Sequence, residues 1–389
     1  MPPLYLLEPP SPAPAWLPFA GVRPISELRA GAWRIRERWE GALESESVGI
    51  IGDHVQGFYE FDEPPVRPAG PIDGPAVIAA SWFAPSGTPP ELGTDTRRLV
   101  HDGVTVAWIV PDGARWAGPA DDGPGAEIDG LLLHGTWDLI TALEHFLVAD
   151  CTDAVAQHHP TIPDHVMILG DPSDLVTLEA DIEPGVVFDV RHGPIVVEAG
   201  AEVRSGTRIE GPCFIGPGAR VLGGFIRHSV LGPRSVVRGE VSTSLFLGYA
   251  NKAHDGFVGH SVLGHWVNLG AGTTTSNLKN TYGEVRLDLP GGRIDTGRQL
   301  LGTLLGDHAK VAIGTMFTTG TVVGAGANVS GGLAPPKWIA PMSWGSTGAE
   351  RTTEAGFLAI AERVLPRRDV EFTVERRAAL EAMYRRVTG

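Results

Sequence analysis

The chain has 389 residues, 42% of them apolar and 20% charged, with a net charge of −15. Such a length exceeds one compact core and predicts two or three domains of a soluble globular protein. The acidic balance excludes a general nucleic-acid or membrane-surface binder, which needs a basic face, but not small anionic substrates met by a few local Lys and Arg. No apolar run approaches the roughly 18 residues of a membrane-spanning helix. Met1-Pro2-Pro3-Leu4 lacks the basic start and apolar core of a secretory signal. Cys151 and Cys213 match no metal or redox spacing, so buried free thiols and a cytoplasmic location are expected.

The first segment, residues 1–150, reads as mixed α/β. Leu4 to Leu7 is a short apolar strand. Ser26 to Leu43 reads as helix, with Ile25, Leu28, Ile35, Trp39 and Leu43 in rough helical register and Ser26 as its N-cap. Ser47 to Ile51, Ala76 to Phe83 and Val104 to Val110 read as buried strands, and Gly135 to Ala149 as an amphipathic helix. Pro64 to Gly74 and Pro119 to Gly125 are Pro/Gly-rich loops. Strands alternating with helices predict a parallel, doubly wound, Rossmann-like sheet. Residues 151–175 read as a linker.

The second segment, residues 176–332, repeats every six residues. Val197, Val203, Ile209, Ile215 and Val221 form one unbroken register; Leu231 and Val237, then Leu263 and Leu269, form others. Leu305, Val311, Phe317, Val323 and Val329 resume it after an insertion. Small residues follow many of these positions, as in Ile215-Gly216 and Leu263-Gly264. The pattern predicts a left-handed parallel β-helix: a prism with three flat sides, one aliphatic per side pointing inward and small residues at the corners. Leu247 to Leu305 breaks the rule. There Asn251-Lys252-Ala253-His254-Asp255-Gly256-Phe257 and Asn268-Leu269-Gly270-Ala271-Gly272-Thr273 pile polar groups where a regular solenoid is apolar, and such violations tend to mark function.

The third segment, residues 333–389, begins where Pro335-Pro336 interrupts the repeat. Trp338 to Trp344 reads as an extended cap, and Thr353 to Val387 as two helices broken at Pro366. The last, Val374 to Val387, is basic and amphipathic, suited to packing over the solenoid's open end or to a charged partner.

On these residues the break resembles the acetyltransferase domain of the bifunctional glucosamine-1-phosphate acetyltransferase/N-acetylglucosamine-1-phosphate uridyltransferases. That family carries a Lys-Ala-Gly-His stretch, then Asn-x-Gly-Ala-Gly-Thr and a further Asn. The likeness places the family's base on His254 and its two asparagines on Asn268 and Asn277. Its thioester-side alanine falls on Ala271, and Gly272 and Gly331 are further candidates for binding the cofactor. Its sugar-contacting tyrosine falls on Phe257, which lacks the hydroxyl. Gly283 stands where the family has a lysine, and Lys279 lies nearby. Gly283 to Asp307 is more similar to the archaeal sugar-phosphate nucleotidyltransferase/acetyltransferases. The N-terminal segment, through Pro18-Phe19, Arg23-Pro24, Leu28-Arg29 and Ile35-Arg36-Glu37-Arg38-Trp39-Glu40, resembles an "alternative" bacterial branch of sugar nucleotidyltransferases. The usual Gly-rich loop is absent, and Ala79-Ala80-Ser81 stands where a Gly-Asp pair for magnesium is expected.

The resemblance implies acetyl-CoA as co-substrate, Mg2+ for an active nucleotidyltransferase, a homotrimer, and a sugar phosphate and nucleoside triphosphate as substrates. Acetyl transfer needs a base for the amine and a donor for the oxyanion. His254 suits the first because a histidine titrates near working pH. Lys252, Lys279 and Arg286 are candidates for the sugar phosphate, and Arg23 and Arg29 for the nucleotide phosphates. His260, His265 and His308 read as solenoid surface residues. Asp53 and Asp102 offer no spacing that identifies a metal site. Three readings follow: a bifunctional enzyme making UDP-N-acetylglucosamine; an acetyltransferase with a degenerate sugar-nucleotide-binding domain; and a trimeric scaffold.

Overall fold

A computed structural model describes residues 2–10, 13–158, 162–330, 334–345 and 349–389. Its N-terminal sheet has seven strands: β1 (Leu4–Leu7), β2 (Ser47–Ile51), β3 (Val66–Arg67), β4 (Ala76–Ala80), β5 (Arg98–His101), β6 (Val104–Val110) and β7 (Gly125–Glu127). Their order is β7-β5-β6-β4-β1-β2-β3. The four strands β4-β1-β2-β3 run parallel as expected, whereas β6 is antiparallel to both neighbours. The reason is local. Asp102, at φ 48°, and Gly103, at φ 78°, both adopt the left-handed conformation that closes a two-residue hairpin between β5 and β6.

The expected helix over Ser26–Leu43 is shorter. Ile25–Glu27 is a 3-10 turn, Arg29–Ala30 pairs with Trp33–Arg34, and α1 spans only Ile35–Leu43. Gly31 makes the turn at φ 73°, and a Cβ there would sit 2.3 Å from Asp150 Oδ2. Ser26 is not the N-cap. Glu37 closes the start of α1 instead, its carboxylate accepting the Arg34 N–H at 2.6 Å. The second helix, α2 (Asp138–Gln157), runs on through residues read as linker.

The C-terminal part is a parallel β-solenoid whose first side alone stacks nine strands, from Leu175–Thr177 to Trp338–Ile339. It fits the left-handed β-helix. Val197, Val203, Ile209, Ile215, Val221, Leu231, Val237, Leu263, Leu305 and Val323 are wholly buried, stacking coil on coil. Trp338 to Trp344 is not a separate cap but one more coil: Val322 pairs with Trp338 and Asn328 with Trp344. A long excursion leaves the third side after Thr274–Thr275, forms a hairpin of Arg286–Leu289 with Gly292–Asp295, and returns at Thr303.

Two other bodies cover the solenoid. The outward residues of its first side, among them Val196, Phe214, Val230, Leu245 and Val262, join the core of the N-terminal domain beneath α2. There Cys151 Sγ approaches the Cys213 carbonyl at 3.6 Å, and both thiols are free and buried. The helices α3 (Glu354–Val364) and α4 (Val374–Thr388) pack along the flank rather than over the open end. They meet Ala325, Met342 and Trp266, and reach the N-terminal domain through Arg376 and the Glu60 carbonyl. Among the described residues, no helix is long and apolar enough to cross a membrane.

Candidate active site

The solenoid register sorts the polar residues of the break onto separate corners and sides. His254 is exposed at the corner between the second and third sides. Asn251 pairs with Asn268, and Asn268 with Lys310, so three residues further on His254, Ala271 and Ile313 stack in one column. The Gly272 N–H donates to the Asp255 carbonyl at 3.1 Å, and the Gly314 N–H to the Ala271 carbonyl at 2.8 Å, fixing that column. His254, Ala271, Gly272 and Thr274 line an open cleft of about 480 Å³ with Arg238 at its edge. A long thin ligand laid along the column would pass the histidine, the small alanine and the apolar Ile313 in turn.

Lys252 does not face that cleft, which corrects its expected role as a phosphate ligand. It occupies an inward slot stacked on Val237 and is 2% exposed. Its Nζ donates to the carbonyls of Arg238 at 2.6 Å and His254 at 2.9 Å. Burial pushes this ammonium down to about 8, with Asp255 opposing the shift. Lys252 is a positioning group that ties the His254 corner to the coil below.

Phe257 opens the third side three residues after His254, and its ring reaches along that side to Gly259, where Asn277 also lies. Asn277 Nδ2 donates to His260 Nδ1 across 2.8 Å. The Phe257 ring fills the space beside Gly259, where a Cβ would come within 2.4 Å of it. His260 is not a surface residue: it is 8% exposed, and that burial pushes its imidazole down to about 4. His308 is buried too, and His265 meets Glu60 at 2.9 Å. Both are covered by bodies far away in sequence, which spacing along the solenoid does not reveal. Six residues separate His254 from His260, at most roughly 20 Å of extended chain.

The remaining candidates scatter. Asn268 accepts from Asn251 Nδ2 at 2.9 Å on the second side. Lys279 Nζ donates to the Glu284 carbonyl within the excursion. Arg286 is exposed and paired across its hairpin with Asp295 at 2.6 Å, away from the His254 cleft, so its phosphate role is not supported by position. Gly331 lies outside the described residues.

In the N-terminal domain Arg23 is not a free phosphate ligand. It is buried between the domains, with Nε 3.0 Å and Nη2 2.9 Å from Asp307 Oδ2, and Nη2 2.5 Å from Glu60. Arg29 donates to the carbonyls of Ala32 and Leu247 and lines an interdomain cavity of about 370 Å³. Ligands of open α/β sheets bind beyond the carboxyl ends of the strands. Here Glu8 follows β1 directly, and its carboxylate accepts the N–H groups of Ile25 at 2.8 Å and Ser26 at 3.3 Å. Backbone donors at that edge are therefore already occupied by a carboxyl group of the chain itself. Burial raises Glu8 to about 7. Among the described residues no three His, Cys, Asp or Glu converge to hold a metal, and Asp53 spends one oxygen on the Ala69 N–H at 3.0 Å.

Residues 5–158 match the family model described as sugar nucleotidyl transferase. The chain is also similar to a bifunctional sugar-1-phosphate nucleotidylyltransferase/acetyltransferase of Sulfurisphaera tokodaii, 34% identical over 146 residues. That match covers 35% of this chain and 35% of the relative, so the chain spans about a third of the relative's length.

Proposed function

We propose that this chain, whose residues 5–158 match the sugar nucleotidyl transferase family model ahead of a parallel β-solenoid, is a bifunctional enzyme of amino-sugar nucleotide synthesis. The solenoid acetylates glucosamine-1-phosphate with acetyl-CoA, and the N-terminal domain uses UTP to give UDP-N-acetylglucosamine. The observation that carries the first half is the column of His254, Ala271 and Ile313 beside Gly272 on an open cleft. In the reaction the sugar amine attacks the thioester carbonyl, the C–N bond forms and the C–S bond breaks. His254 takes the amine proton and the CoA thiolate leaves. The glycine-rich backbone next to Ala271 lets the carbonyl oxygen approach main-chain N–H groups.

Asn277 is bonded to His260 at the far corner of the side that His254 opens, and neither Asn277 nor Phe257 lines the His254 cleft within one protomer. Ile313, 77% exposed, and Met316, 55% exposed, flank this surface. Exposed apolar groups there favour a neighbouring prism, and we read the assembly as a homotrimer with shared sites. Mixing the protein with acetyl-CoA and glucosamine-1-phosphate and following free thiol tests the activity; light scattering tests the trimer.

Glu8 favours a second reading of the N-terminal half. A carboxylate on the backbone donors at the sheet edge suits a domain that holds a sugar nucleotide without uridylyl transfer. Pyrophosphate release from UTP, Mg2+ and N-acetylglucosamine-1-phosphate would sink that second reading; its absence in folded protein would support it.

A further inference from the structure

On the second side of the solenoid, consecutive coils present Asn251, Asn268, Lys310, Asn328 and Trp344 in one outward column. Neighbouring rungs of such a column lie ~4.8 Å apart. The carboxyl end of α3 and the turn after it roof the column through Ile360, Val364, Arg367 and Arg368. Between column and roof lies a cavity of about 570 Å³, a volume suited to a small metabolite.

Its charge runs against that of the chain. Overall the protein carries −15, yet this lining holds Lys310, Arg367 and Arg368 and, among the described residues, no carboxylate. Asp369, the adjacent acid, is paired with Arg234 at 2.6 Å. Among the described residues the Lys310 ammonium donates to the Trp266 carbonyl alone, at 2.5 Å. Arg368 donates through Nη2 to Asn251 at 3.0 Å, while its buried Nε has no partner among the described residues. Burial and the nearby Arg368 push Lys310 down to about 7. Two cations and an unfilled donor enclosed together incur a desolvation and repulsion cost that an anion in the cavity would relieve. Asn268 and Asn328 add amide groups along the same column, and Trp344 closes its end with a flat apolar face.

We propose that this cavity binds the phosphate ester of a small polar metabolite, with the phosphoryl group between Lys310 and Arg368 and the hydroxyl-bearing body along Asn268 and Asn328. The site stands on charge and enclosure, independent of the acetyl-transfer reading, and lies on a different surface from the His254 cleft. A sugar phosphate and a nucleotide share this chemistry; the sugar phosphate places its hydroxyls on the amides, and the nucleotide its base on Trp344.

Calorimetric titration of the full chain with inorganic phosphate, glucosamine-1-phosphate and UTP tests the site, alongside Lys310→Met, Arg368→Gln and the surface control Arg115→Gln. The expected result is binding of at least one probe at one site per chain. Both cavity variants should weaken it more than tenfold and the control should not. Preference for the sugar phosphate or for UTP identifies the source. No binding of any probe at millimolar concentration, or equal binding by Lys310→Met, overturns the proposal. Should the variants fail to fold, labelling of the unaltered protein decides. The best-binding probe should slow acylation of Lys310 at least fivefold relative to the other lysines, and unchanged labelling contradicts the site.

Discussion

The Nζ of Lys252 reaches the carbonyl of His254 across 2.9 Å from inside the solenoid, so a buried cation sets the place of an exposed histidine. Lys252→Met keeps the stem of that side chain and removes the two main-chain bonds. The fold should persist, since an apolar side chain suits an inward slot. Acetyl transfer should fall about tenfold or more, because small displacements of a reacting group are costly. Thermal melting together with kcat and KM for acetyl-CoA separates this from unfolding: an unchanged melt with unchanged turnover would remove Lys252 from the account.

Arg23 and Asp307 join the two domains through a buried ion pair that also engages Glu60. Deleting one partner strands the others. Asp307→Ala should cost about 3–5 kcal/mol, the range for breaking a buried pair. Chemical denaturation is expected to show the loss, and a cost below about 1 kcal/mol would mean the pair is solvated in solution.

Glu8 makes stability fall with rising pH. Its carboxyl is raised in the folded protein from an ordinary 4.5 to about 7. Below the ordinary value both states hold the proton; between the two values only the folded state does, so stability declines through that window and levels off above it. The drop attributable to Glu8 is on the order of 3 kcal/mol. Urea denaturation at about pH 5 and about pH 8 should show a smaller decline in Glu8→Gln than in the unaltered chain. Equal declines would place the charge of Glu8 in contact with water.

His260 and Asn277 offer a rival base. Asn277→Ala leaves the buried His260 Nδ1 without its donor and should cost about 1–3 kcal/mol. If His260 served as the base, the rate would lose activity only as pH falls toward about 4, where its imidazole takes a proton. The acetyl-transfer reading expects the rate to be insensitive to His260→Gln beyond any loss of stability. A limb near that pH, abolished by His260→Gln, would move the chemistry to this corner.

The aliphatic hexads are readable because an inward slot tolerates little else: Val203, Ile209 and Ile215, on three successive sides of the prism, are wholly buried. The same periodicity conceals Lys252, a charged residue in an aliphatic slot, whose stem fills the core while its head finds carbonyls. The apolar spacing over Ser26–Leu43 continues through Gly31, whose left-handed backbone turns the chain back and so confines α1 to Ile35–Leu43. His265 is covered by Glu60 of the N-terminal domain and His308 by Phe357 of α3, contacts between separate segments of the chain. The cationic cavity is not legible in the sequence because its column is interrupted by the excursion between Asn268 and Lys310, and its roof comes from the third segment. Within the break, sequence likeness singled out His254, Ala271 and Gly272, which do share a corner; Arg286 and Lys279 belong to the excursion.

Turnover of acetyl-CoA with glucosamine-1-phosphate by His254→Ala is the most direct test of the account. The unaltered chain should release free CoA and N-acetylated sugar phosphate, and the folded variant should lose at least about a hundredfold in kcat/KM, as expected for a lost general base. Full turnover by the variant would contradict the assignment of the reaction to this corner of the solenoid.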